Sequence, residues 1–406
     1  MNKRDGGRRA PYDPADGLSL EEAEAVALFF NASLRTLRLD SGVALAGAIE
    51  AANWQDPELS VDGGVILASI AQPWYAAAAI RFTIPLSGRP GVEQDKAYAV
   101  HREEWASVVA AEWELLGALR REWVKLAAIR QRLALAEVQL GEVESIRDSA
   151  KALLDVGRVT AAEVRVFEIE LVRQELLIER LKRQAAIQVD VIRGILGLVP
   201  EAPVKLVTQL DAFLNVPPDV IGAMRERNPH LAVKRAAYDV AEQSLRLEIR
   251  KQYPDLTIGP GYEIEEGQSR IGIGFGLPIP IINLNRRGIA EARAKRLASK
   301  SAFEAEYERL AAKVAVSEKE LQLATEIRKT LEDVLLPLAS TQVKEVVKLG
   351  ELGRLDVVLV LESMRTRYEA QLELVDARLQ ESLATISLAE VVGPTYGKPP
   401  IPTEGS

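Results

Sequence analysis

In the stretch Ile271-Gly272-Ile273-Gly274-Phe275-Gly276-Leu277 every second residue is bulky and apolar, and the residues between are glycines. Period-two alternation of this kind marks a strand with two different faces. The segment before it reads the same way: Leu256, Ile258, Tyr262 and Ile264 alternate with Thr257, Gly259, Gly261 and Glu263. Residues 255–265 and 269–280 therefore predict a β-hairpin. A second hairpin is predicted at residues 59–70 and 74–86, where Ile80, Phe82 and Ile84 oppose Arg81 and Thr83. Its first strand, ELSVDGGVILAS, carries the weakest alternation of the four.

Around each hairpin the period changes to that of long helices. A helix of roughly 30 residues is predicted from Leu20 to Asn53, with Ser19 as N-cap and an acidic first turn, and its counterpart runs from Pro217 to Gln252. After each hairpin comes a helix of about 60 residues, Glu93 to Asp155 and Gly288 to Leu349, each roughly 90 Å long at 1.5 Å per residue. Pro337 should kink the second of these. A glycine turn then reverses the chain into a return helix of about 35–40 residues, ending at Gly197 or Gly393.

The chain thus repeats its own order. Asn31 and Asn228 differ by 197 positions, as do Pro57 and Pro254; Pro85 and Pro280 differ by 195, Gly157 and Gly350 by 193, Gly197 and Gly393 by 196. Five landmarks in the same order, with offsets drifting by only four residues, are the mark of duplication. The expected organisation is a flexible segment at 1–17, a first repeat at 18–197, a Pro-bounded linker at 198–216, a second repeat at 217–393 and a disordered tail at 394–406.

Composition narrows the class. The 406 residues are 48% hydrophobic and 27% charged, the balance of a folded protein. Net charge is −8, which argues against a nucleic-acid surface. Cysteine is absent and there are only two histidines, His101 and His230, both read as surface or seam residues. That leaves little for a soft-metal site. No dinucleotide fingerprint, phosphate loop or HExxH helix is present; GIGFG lies on alternating apolar residues and reads as a strand. No cofactor and no catalytic set are expected. No run of 18 purely apolar residues exists, so no membrane-spanning helix is predicted.

Four strands cannot close a barrel, since small closed barrels need about eight, and open edges are costly in a membrane. Strands of 10–12 residues match the span of an outer-membrane strand. Assembly is therefore implied; three copies would give twelve strands, an allowed even number, together with enough helices to wall a tube. Trp54, Trp74, Tyr75, Tyr253 and Tyr262 sit near the predicted strand ends, where an aromatic girdle would lie.

At this point three stretches acquire a common reading. DGLSLEEAEAVALFFNASLR, NPHLAVKRAAYDVAEQSL and LPLASTQVKEVVKLGELGRLDVVLVLESMRTRYEAQLEL resemble, in that order, the signatures of the TolC-like outer-membrane efflux family, over residues 17–394. Ala32 stands where that family has Pro, and the Tyr before the tip glycine and a lipid-attachment Cys are absent. The resemblance implies a mainly α protein with a small β part: a long α-helical barrel continuous with a 12-stranded β-barrel completed by a homotrimer. It implies a passive duct of a tripartite efflux or secretion system in the outer membrane of a Gram-negative-type bacterium, reaching into the periplasm. The expected partners are outer-membrane lipid and a periplasmic adaptor leading to an inner-membrane pump, with no nucleic acid. The export signal is expected to be missing from this sequence or processed.

Site residues are carried over in the same way. The tip turns Gly157, Arg158, Val159, Thr160 and Gly350, Glu351, Leu352, Gly353, Arg354, Leu355 are expected to contact the adaptor. Asp356 and Glu362 are candidates for an acidic constriction of the pore, against a plainer reading of Glu362 as a solvated partner of Arg365 or Arg367. The alternative to the duct is a soluble, coiled-coil-rich periplasmic scaffold or adaptor without a barrel.

Overall fold

The computed structural model describes residues 17–65, 67, 74–210, 217–278, 283–351 and 356–394. Its first helix, α1 (Leu20–Phe30), starts as expected at Ser19, whose hydroxyl accepts from the Glu22 amide while Glu22 reaches back to the Ser19 backbone. Two such reciprocal bonds satisfy donors that a helix start otherwise leaves open. The single 30-residue helix of the sequence reading is two: α1 ends at Asn31 and α2 (Ala32–Glu50) begins beyond it. Asn31 leaves helical geometry (φ −61°, ψ 121°) and its side chain then accepts from the Leu34 amide at 3.2 Å, restarting the helix.

Strands β1 (Glu58–Val65) and β2 (Trp74–Ile84) follow, then α3 (Arg89–Asp155), a helix of 67 residues that begins four residues before the expected Glu93. At Gly157 the chain turns with φ +70°; the Gly157 amide donates to the Leu154 carbonyl and the Arg158 amide to the Leu153 carbonyl, each at 2.9 Å. Those two bonds close α3 in the manner that needs a left-handed residue, which glycine adopts without a Cβ penalty. The return helix α4 (Ala161–Leu196) stops at Gly197, again left-handed.

The second half repeats the plan. α5 (Val220–Arg227) and α6 (Pro229–Arg250) are separated by Asn228, so this expected single helix is also two. β3 (Leu256–Glu265) and β4 (Gln268–Gly276) come next, then α7 (Arg286–Thr330), a π-helical segment at Leu331–Leu335, α8 (Leu336–Glu351) and α9 (Val357–Val392). The disturbance expected at Pro337 takes the form of that wide turn: a proline ring presses on the carbonyl four residues back and lacks an N–H, and the π turn absorbs both defects.

All four strands join one antiparallel sheet in the order β1-β2-β3-β4. The β3–β4 turn is Glu266-Gly267, with φ +51° and +76°; a two-residue loop with both φ positive matches the twist of the strands it joins. Pairing of β2 with β3 is interrupted opposite Pro260, which has no N–H to give.

The described chain forms two compact units. One holds residues up to Arg35, Ala111–Asn228 and the chain from Arg309; the other holds Thr36–Ala110 and Pro229–Glu308, including the sheet. In the first, Leu119, Trp123, Ile192 and Leu196 pack with Ala23 and Ala27 of α1, and Phe167, Val343, Val360 and Met364 form a separate core among α3, α4, α8 and α9. In the second, Leu245, Ile289 and Ala292 cluster, and buried His101 lies with Nδ1 3.1 Å from the Ser41 carbonyl. Among the described residues no helix is long and apolar enough to cross a membrane.

Candidate functional site

Within the sheet unit, strand register sorts the side chains. On one face lie Leu59 and Val61 of β1, Trp74, Ile80 and Phe82 of β2, Ile258, Tyr262 and Ile264 of β3, and Ile271, Ile273 and Phe275 of β4. Ile271 is 85% exposed and Phe275 71%. The other face carries Glu58, Ser60, Asp62, Arg81, Thr83, Thr257, Glu263, Glu265 and Arg270, with Gly259, Gly261, Gly272, Gly274 and Gly276 between them. An exposed apolar face of this size is unusual on a water-surrounded sheet, and apolar-out, polar-in alternation is the mark of a membrane barrel strand. Tyr75 departs from the girdle reading: it lies on the polar face, its ring covering Gly64. Trp54 and Tyr253 lie outside the strands, both exposed.

The two outer strands of the sheet, β1 and β4, each pair on one side only among the described residues. Unpaired strand edges are templates for another chain. The helical unit shows apolar groups in the same condition. Ile169, Val172 and Leu176 form an exposed stripe on α4, and Leu323, Ile327, Val334 and Leu338 are exposed along α7 to α8.

In the helical unit the starts of α4 and α9 carry the sequence-predicted residues. Thr160 caps α4: its hydroxyl accepts from the Glu163 amide, and the Glu163 carboxylate accepts from the Thr160 amide at 2.6 Å and from its hydroxyl at 2.7 Å. Those bonds, the backbone one foremost, hold the Glu163 carboxyl below its ordinary value, against opposing pushes from desolvation and then from the Asp356 charge. Asp356 caps α9, accepting from the amides of Val358 at 3.0 Å and Leu359 at 3.1 Å. Gly350 and Glu351 close α8. Leu352, Gly353, Arg354 and Leu355 lie outside the described residues.

Glu362 is exposed on α9, and the expected partners do not meet it. Arg365 instead pairs with Glu170 of α4, and Arg367 with Glu142 of α3. The Glu170 carboxylate is buried and also accepts from Gln174 Nε2 at 3.2 Å. Tyr368, buried beside it, has its hydroxyl pushed up in pKa by burial and by the Glu170 charge. Gln139 Nε2, Gln174 Oε1 and the Tyr368 hydroxyl are buried with no hydrogen-bond partner among the described residues. Glu142 and Glu170 escape a sequence reading because they are distant in sequence from the arginines they face.

A mainly helical chain with four amphipathic strands and open edges has the fold of outer-membrane channel subunits. Two solved structures share it: the outer membrane protein VceC of Vibrio cholerae, with a TM-score of 0.75 and 14% identity over 92% of this chain and 96% of that one, and the open state of the MtrE outer membrane channel of Neisseria gonorrhoeae, with 0.75 and 15% over 92% and 88%. Residues 220–394 match the family model described as outer membrane efflux protein. The cobalt-zinc-cadmium resistance protein CzcC of Cupriavidus metallidurans is 20% identical over 388 residues, 94% of this chain and 92% of that protein. The second half of the chain thus matches the outer membrane efflux proteins, and the chain as a whole shares the fold of solved outer-membrane channels.

Proposed function

We propose that three copies of the chain close a β-barrel of twelve strands and a helical tube, forming a passive export duct from periplasm to exterior. The observation that carries this is the sheet itself. Its one face is apolar and exposed, its other face polar and glycine-rich, and both its edges are open among the described residues. Each unpaired edge group costs several kcal/mol in lipid, so β4 of one copy pairs with β1 of the next until the ring closes. The exposed stripes on α4 and α7–α8 are covered in the same contact, a head-to-tail interface of the kind that generates rings.

In this reading the helical ends at Thr160 and Asp356 form the periplasmic mouth and meet an adaptor protein coupled to an inner-membrane pump. The pairs Arg365–Glu170 and Arg367–Glu142 tie α9 to its neighbours just behind that mouth and hold it shut. Asp356 and Glu362, present three times around the axis, draw cations toward it, as rings of charge do in channels. Divalent metal ions are the cargo that the name of the CzcC relative points to. The pump, not the duct, selects what passes.

Reconstitution in planar bilayers tests the reading. Discrete conductance steps from a trimeric, detergent-requiring protein are expected, with Arg367→Ala increasing the open fraction. A monomer that stays soluble without detergent and never conducts would leave the scaffold alternative standing.

A further inference from the structure

The π-helical segment Leu331–Leu335 interrupts the second long helix, whereas its counterpart α3 runs without a break for 67 residues. Three features set the segment apart. The Leu336 amide donates to the Leu331 carbonyl five residues back, so the turn is wide, and Pro337 follows at once. None of its side chains is buried, and Val334 is exposed. It is tied to α9 by charge: the Arg328 guanidinium donates to Glu381 at 2.5 Å and to Glu332 at 2.6 Å, Arg378 donates to the other Glu332 oxygen at 2.7 Å, and the Thr325 hydroxyl donates to Glu381 at 2.9 Å.

We infer that Leu331–Leu335 is the hinge on which α8 and its tip move, and that the Arg328–Glu332–Arg378–Glu381 network is the latch that holds it closed. A helix bends where its hydrogen-bond ladder is already defective. A buried apolar contact would resist rotation through its whole area. Part-exposed ion pairs release over a short distance and are weak individually. The hinge rests on the duct reading and adds the place where the duct's helices yield.

The chain has no cysteine, so a pair introduced by Glu332→Cys and Arg378→Cys is the sole target for a short bifunctional thiol reagent. In full-length protein reconstituted in planar bilayers, Glu332→Gln with Glu381→Gln should raise the open fraction at least threefold. Bridging the cysteine pair with a bis-methanethiosulfonate, which joins each thiol through a disulfide and releases sulfinate, should abolish opening, and reductant, by cleaving those disulfides, should restore it within the same protein. An unchanged open fraction in the double-Gln protein, or bridging without effect, overturns the hinge. Arg367→Ala separates the two ideas: if it raises the open fraction while the bridged pair still opens freely, the hinge is wrong and the duct stands. A parent protein that conducts in no variant removes both.

Discussion

The Asn228 side-chain amide donates to the Val391 carbonyl at 2.7 Å, two residues before Gly393, and the Asn31 amide donates to the Ile195 carbonyl at 3.2 Å, two residues before Gly197. Both asparagines break a helix pair, and both glycines end the return helix. A Cβ on Gly197 would stand 2.7 Å from the Phe30 carbonyl oxygen, and one on Gly393 2.5 Å from that of Arg227. The duplicated landmarks are thus one clasp built twice: a helix break held against a helix end by an amide, with no room for a side chain at the contact.

Asn228→Ala should lower the unfolding free energy by about 1–3 kcal/mol, because a buried hydrogen bond is lost and its carbonyl partner is left unpaired. Asn31→Ala should cost less, since Asn31 is only half-buried. Denaturant titration of the helical circular dichroism signal compares the two.

Gly259→Ala should prevent assembly. A Cβ there would lie 1.7 Å from the Ile80 carbonyl oxygen, forcing the strands apart, whereas Gly272 on the same face has nothing within 4 Å and should accept alanine. Gel migration of unheated samples reads the trimer in each variant.

Ile273→Lys places a charge on the apolar face and should cost about 2–4 kcal/mol if that position reaches the bilayer midplane. Gly274→Lys, facing the opposite way, should insert normally and reduce conductance. Equal loss of membrane insertion in both would contradict the assignment of the faces.

Asp356→Asn removes a charge and keeps a cap, as Asn serves that role as well as Asp. Stability should change by only a few tenths of a kcal/mol, while cation preference, read from the reversal potential in a salt gradient, should fall. Glu362→Gln should act in the same direction.

Acid should loosen the start of α4. Glu163 is held below its ordinary value by the Thr160 bonds, so its contribution is complete above the ordinary carboxylate range and is lost as pH falls through the lowered value. A fall in the protection factor of the residue-163 amide on acidification, measured against its intrinsic exchange rate and absent in Glu163→Gln, is the expected signature.

The sequence by itself determined the element types, the duplication and the two-faced strands, because period and spacing are local properties of the chain. It placed the Ser19 cap and the Gly157 turn for the same reason. Tertiary structure alone decided what each asparagine's amide clasps at the helix break, since the partner carbonyl lies more than 160 residues away. It also turned Arg365 and Arg367 from local partners of Glu362 into ties to Glu170 and Glu142. A charged side chain takes its partner from whichever helix packs beside it, and that neighbour is set by burial of the apolar seams, which no local pattern encodes.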